Sequence, residues 1–210
     1  MNKVTIALPK VILSYPHLVE KQPLDKAYIT TEEKRKYTAT FLLSKDDKVH
    51  MDAVNEMQAK LKKLLAEIKV KQNPHILIKD GDEEFEAIDN EEKRVKNEYK
   101  KGKFIITAAN GFQPILTAQG GEEFDISKHE SLFYPGCYVH AFIELSPYKF
   151  ADVWKGVSNR LQHVQFSKNG TLIGGGGRLS GASVFDKFAD EEDKDDFGTF
   201  KQEGTEVDIF

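Results

Sequence analysis

The segment Gly136–Leu145 sorts its side chains by parity. Cys137, Val139, Ala141, Ile143 and Leu145 alternate with Tyr138, His140, Phe142 and Glu144. Successive side chains of a strand point to opposite faces, so this spacing predicts one core face and one face carrying two aromatic rings and an imidazole. A face of that kind can stack nucleobases. Each stacked base contributes roughly 1–3 kcal/mol, and any base will do because every base has a π-face. The competing reading is that Tyr138 and Phe142 pack beneath a loop or a helix, as aromatic side chains commonly do. Tyr15, Phe104 and Trp154 lie in or beside other strand-like segments and are further stacking candidates.

Cations that could meet phosphates are also present. If Gly156–Phe166 is a strand, Ser158, Arg160, Gln162, Val164 and Phe166 share one face, and Arg160 could pair with a phosphate or lie on a base. Lys155, Lys103, Lys101, Lys100, Arg35 and Lys36 sit beside strand-like segments and could follow a phosphate backbone. Charge runs are equally the ordinary make-up of a solvated face.

Catalytic and metal-binding patterns are weak by comparison. Cys137 and His140 are three residues apart, which on a strand sends them to opposite faces and rules out joint zinc binding there. Asp80, Asp82, Glu84 and Glu91 fall on calcium-loop offsets, but the offset that requires glycine holds Phe85. The acids from Asp80 to Glu92 could serve a metal-dependent nuclease, yet they crowd one loop-like segment rather than several rigid elements. Gly174–Gly177 followed by Arg178 lacks the Lys-Ser/Thr of a phosphate loop and reads as a flexible loop able to lie along DNA. The expectation is a non-enzymatic protein with no cofactor and no metal.

The elements that must hold these residues are mostly strands. Val4–Leu13 is rich in aliphatic residues, and Lys36–Leu43 reads as a second strand. Between Asp46 and Lys71 the period changes: Val54, Met57, Leu61, Leu64, Leu65 and Ile68 form one apolar helical face. Ser44 or Asp46 could cap that helix, and Asn73-Pro74 ends it. Residues 80–103 read as a charged connector, followed by strands at Lys103–Ala109 and near Pro114–Ala118. Asn169-Gly170 is a type I′ hairpin signal leading into Thr171–Ile173. Many strands with one long inserted helix predict a mainly β protein, a compact β-barrel of which the OB-fold is the commonest nucleic-acid-binding form.

Charge divides the chain into two parts, residues 1–188 and 189–210. The last 22 residues hold nine acids and two bases, a net charge of −7; the remaining residues hold 25 acids and 28 bases, a net of +3. The segment 189–210 is too charged and too poor in aliphatic residues to offset its ordering entropy, so a disordered acidic tail is expected. A mildly basic body can attract nucleic acid, and a polyanionic tail can imitate nucleic acid or recruit a partner. One cysteine among 210 residues fits a reducing compartment. No apolar run approaches the roughly 20 residues of a membrane span, and the N-terminus reads as a strand rather than a signal peptide. A protein-interaction module with a solubilising tail is the alternative from another class.

Several segments together resemble a family of tailed-phage single-stranded DNA-binding proteins. They are Ser14–Leu18, Lys36–Leu43, Asp80–Glu83, Lys101–Ile106, Phe133–Val139, Lys155–Ser158 and Leu161–Gln165, in that order and spacing. The resemblance covers roughly residues 4–188. It implies an OB-fold body that binds single-stranded DNA without sequence preference during phage replication, recombination or repair, in the cytoplasm of the bacterial host. It also implies an acidic tail whose aromatic end, here Asp208-Ile209-Phe210, contacts phage or host replication proteins and competes with DNA. A homodimer is left open.

Overall fold

The computed structural model describes residues 3–25, 28–118 and 130–173. Strand β1 (Val4–His17) is followed by β2 (Tyr37–Ser44), helix α1 (Lys48–Glu67), the short β3 (Lys79–Asp80) and helices α2 (Gly81–Glu86) and α3 (Glu91–Asn97). Then come β4 (Lys103–Asn110), β5 (Ile115–Thr117), β6 (Tyr138–Phe150) and β7 (Val153–Lys168). The sheet runs β3-β4-β2-β1-β6-β7-β5, antiparallel throughout except for the β5–β7 pair.

Five of these strands close on themselves. Strand β1 pairs with both β2 and β6, β2 continues to β4, and β6 continues to β7. Two buried asparagines bridge the gap between β4 and β7. Asn110 Nδ2 donates to Leu161 O at 2.8 Å, and Asn159 Nδ2 donates to Thr107 O and Leu77 O, both at 3.1 Å. The cyclic order β1-β2-β4-β7-β6 is the Greek-key barrel of the OB-fold, as the strand pattern predicted. Replacing Asn159 with leucine keeps the bulk but strands two buried carbonyls, which should cost about 2 kcal/mol. Urea unfolding should show a lower midpoint with an unchanged slope.

Inward-facing residues of the five strands, among them Ile6, Leu8, Val11, Phe41, Leu43, Ile106, Val139, Ile143, Leu145 and Leu161, form the core. Of the expected apolar stripe, Val54, Met57 and Leu64 of helix α1 and its C-cap Ile68 join the core, Leu61 and Leu65 pack partly buried against it, and Ala53 is added. Each fully buried side chain of this size contributes roughly 1.5–3 kcal/mol.

The helix ends differ from expectation. Asp47, not Ser44 or Asp46, is the cap, accepting the amides of Val49 at 2.8 Å and His50 at 3.3 Å. The last turn stops at Glu67, where Lys69 turns left-handed (φ 57°), well before Asn73-Pro74. Asn73 instead serves β7: its side chain accepts the Val157 amide at 2.8 Å and donates to Val157 O at 3.0 Å.

The Asn169-Gly170 hairpin is also corrected. Strand β7 ends at Lys168, and residues 171–173 form no strand. Gly170 is required by close packing instead. A Cβ there would lie 2.1 Å from Gly136 O and 3.0 Å from the Tyr138 ring. The tight two-residue turn falls at Ala151-Asp152, both with positive φ (48° and 62°), joining β6 to β7. That conformation is the one a two-residue hairpin requires, and here it is met without glycine.

The charged connector 80–103 is folded. Asp80 and Asn90 cap α2 and α3 with their side chains. Lys45 at the end of β2 grips the module through Asp80 at 2.6 Å and Asp82 at 2.7 Å. Those bonds raise the Lys45 pKa, and the same lysine lowers those of both carboxyl groups. A Cβ on Gly81 would lie 2.2 Å from Lys100 O and 2.6 Å from Lys103 O, so α2 sits hard against the segment that re-enters β4.

Candidate nucleic-acid interface

Residues paired across an antiparallel ladder share a face, which traces one continuous outer surface of the barrel. Thr107 on β4 pairs with Thr40 on β2, and Thr40 pairs with Ser14 on β1. Ile12 lies between Leu42 on β2 and Tyr138 on β6. Farther along, Ala7 pairs with Phe142, which pairs with His163, and Thr5 pairs with Glu144, which pairs with Arg160. The burial of β6 alternates as its sequence does, with Val139, Ala141, Ile143 and Leu145 inside and Tyr138, His140, Phe142 and Glu144 outside.

The aromatic part of this surface is open. Phe142 is 45% exposed, an unusual value for a phenylalanine in the middle of a strand, and its ring lies 6.0 Å from that of His163 at 36°. His163 Nε2 is 2.9 Å from Thr117 Oγ1, which fixes its plane. The half-buried Tyr138 carries Lys168 Nζ 4.7 Å above its ring. His140 lies between them in sequence and accepts the Lys10 amide at Nδ1, 3.2 Å away. The neutral ring therefore carries its proton on Nε2.

Lys10 can make that bond because β1 bulges there, with Lys10 at φ 48° and the register slipping between Leu8 and Val11. The bulge is held from the core side. His50 of α1 accepts the Ser44 amide at Nδ1 (3.0 Å) and donates from Nε2 to Pro9 O (3.1 Å). Two histidines on opposite faces thus grip one bulge.

Tyr15 forms a second aromatic patch. It is 59% exposed and left-handed (φ 45°) at another irregularity of β1. A non-glycine residue held there stores about 1–3 kcal/mol of strain, a feature that collects at binding sites. Its hydroxyl is 3.4 Å from that of Tyr99, and burial together with the Tyr15 hydrogen bond pushes the Tyr99 phenol above its usual range.

The other sequence candidates are distributed unevenly. Phe104 and Trp154 are partly buried against the core, each with a lysine over its ring: Lys45 at 5.0 Å and Lys149 at 4.6 Å. Arg160 lies on the surface traced above, 3.6 Å from Glu144, whose carboxylate it shares with Lys3 at 3.5 Å. Lys100 is paired with Glu84 at 3.1 Å, and Lys101 with Glu98 at 3.3 Å. Lys103 donates to Lys101 O at 3.2 Å. Arg35 holds Glu32 at 2.9 Å and also donates to Gln22 O and Lys21 O, so it braces the loop between β1 and β2. Lys36 and Lys155 are exposed.

Sequence reasoning missed three members. Val164 belongs to the core rather than the outer face, because β7 carries an extra residue at Gln162: Phe142 pairs with His163 while Ile143 pairs with Leu161. That bulge moves His163 to the outside. Lys168 was hidden by the hairpin reading of its neighbours, and Tyr99 by the connector reading of 80–103.

A family model described as "Enterobacter phage Enc34, ssDNA-binding protein" matches residues 4–197. The chain belongs to this phage ssDNA-binding protein family. The single-stranded DNA-binding protein of bacteriophage Enc34, solved in complex with ssDNA, superposes with a TM-score of 0.62 at 24% identity, covering 81% of this chain and 89% of that one. A second structure of the Enc34 protein gives 0.58 at 23% identity, covering 86% and 89%. Putative protein p50 of Acyrthosiphon pisum secondary endosymbiont phage 1 is 28% identical over 211 residues, 90% of this chain and 97% of that protein. At these identities the structural likeness establishes the shared fold.

The remaining features of this Enc34-family chain fit around that surface. Asp80, Asp82 and Glu84 are engaged with lysines rather than grouped for calcium, and among the described residues no cluster of three or more His, Cys, Asp or Glu could hold a metal. Cys137 is buried, and burial pushes its thiol up to about 12. No helix among the described residues is long and apolar enough to cross a membrane. Gly174–Gly177 with Arg178, and the tail with Asp208, Ile209 and Phe210, lie outside the described residues.

Proposed function

We propose that this protein binds single-stranded DNA without sequence preference along the outer barrel surface from Thr107 to Phe142, in phage DNA replication, recombination and repair in the host cytoplasm. The observation that carries this reading is the exposed Phe142 ring tilted beside His163, on the same face as Tyr138 and its cation Lys168. Membership in the Enc34 family supports it, as does the ssDNA complex of the Enc34 protein. The body's net charge of +3 suits a phosphate backbone, and aromatic faces accept any base. The polyanionic segment 189–210 competes with DNA for this surface and presents Phe210 to replication proteins.

Fluorescence anisotropy with oligo-dT and with a duplex of equal length tests the reading. The single strand should bind more tightly, and its affinity should fall with salt with a log–log slope of about −0.7 per neutralised phosphate. Failure to bind oligo-dT would remove this function and leave the protein-interaction alternative.

A further inference from the structure

The folded module Lys79–Lys103 does more than connect two strands: it stands over the outer face of β1, β2 and β4. Between module and barrel lies a half-open cavity of about 120 Å³. Resting on the DNA-binding reading above, we propose that this slot receives a single unstacked nucleobase of the bound strand, with Tyr15 and Tyr99 against its ring, Thr40 and Thr107 at its polar edge, and Lys79 and Lys100 at its phosphate.

The lining suits an uncharged heteroaromatic ring. Leu42 and Ile105 provide an apolar floor and are buried apart from the barrel core. Thr40 and Thr107 face each other at 3.0 Å, and either hydroxyl can be the donor. A hydroxyl pair that can reverse its bond offers a donor or an acceptor to whichever base edge arrives. The slot therefore holds a base without reading it, as sequence-independent binding requires.

Charge is placed at the rim. Lys79 and Lys100 share the single carboxylate of Glu84, at 2.6 and 3.1 Å, so this cluster carries one net positive charge. A backbone phosphate would supply the missing anion. The walls are fixed before DNA arrives. The Lys45 clasp to Asp80 and Asp82 and the close packing at Gly81 hold the module, and the left-handed backbone of Tyr15 holds its ring at the mouth. A preorganised slot loses less on binding than one that must order itself.

The test compares wild type, Tyr99→Ala and Phe142→Ala on oligo-dT and on an abasic strand of the same length, by anisotropy. Tyr99→Ala should weaken oligo-dT binding by about 5- to 150-fold, the stacking range, and leave abasic-strand binding within about twofold of wild type. Thr107→Val, which alters neither a ring nor a charge, should weaken oligo-dT binding in the same base-dependent way. Equal loss on both strands would assign Tyr99 a structural role and overturn the proposal. Wild-type affinity in both slot variants, with Phe142→Ala still impaired, would overturn it while the DNA-binding reading stands. No binding of oligo-dT by the wild type would remove both.

Discussion

A Phe142→Ala protein binds oligo-dT between about 5-fold and about 150-fold more weakly than the wild type, the range of one lost base stack. The structure makes this the cleanest substitution on the outer surface. Phe142 is nearly half exposed, belongs to no core cluster, and faces Ala7 on one side and His163 on the other. Removing its ring opens no cavity in the barrel, so the thermal midpoint should move by no more than a few degrees. Tyr138→Ala should behave differently. Its ring packs on Gly170 and underlies Lys168, so stability and affinity fall together. Measuring both proteins by anisotropy and by thermal melting separates stacking from packing. A Phe142→Ala protein that binds at wild-type strength would move the binding surface away from β6.

How much of this surface could be read from the sequence depended on whether the strands stayed regular. On β6 the alternation from Cys137 to Leu145 is unbroken, and both its core face and its open face were legible. On β7 an extra residue at Gln162 reverses the parity from His163 to Phe166, up to a second irregularity at Ser167. A period-2 reading therefore put Val164 outside and missed His163. The barrel itself was predictable because its strands are aliphatic and separated by turn residues. Its closure was not, since Asn110 and Asn159 seal β4 against β7 through side chains that no local pattern marks.

The module 79–103 illustrates a different loss of information. Its helices are short and charged, so hydrophobic periodicity is silent. What fixes them is long-range: Lys45 from β2 and the tight approach of Gly81 to Lys100. The same contacts explain why several basic candidates changed meaning. Lys101 and Arg35 were visible as cations, but an acid one turn away pairs with each, while Lys100 and Arg160 each share a single acid with a second cation, a lysine in both cases. A sequence shows charge; only the fold shows which charges are already matched.

Deleting residues 189–210 should tighten oligo-dT binding about tenfold at about 50 mM salt and change it little at high salt. The segment carries a net −7 and the rest of the chain +3, so under the proposed competition it would contend at low ionic strength for the cations that DNA needs. The salt dependence is the sharper part of the prediction. When DNA binds the truncated protein, the body's cations release mobile counterions from the strand, and each contributes about −0.7 to the log–log slope. If the tail competes as proposed, DNA binding to the full chain would displace it, and the freed tail would take up counterions of its own. The net release is smaller and the slope shallower. The two salt titrations should therefore cross or converge as salt rises, with the truncated protein steeper. Parallel lines would mean that the tail never occupies the DNA surface, and its acidity would then serve solubility or partner recruitment alone. A tail in which the acids are replaced by Asn and Gln at equal length separates charge from bulk, because only a charge effect predicts that it follows the deletion.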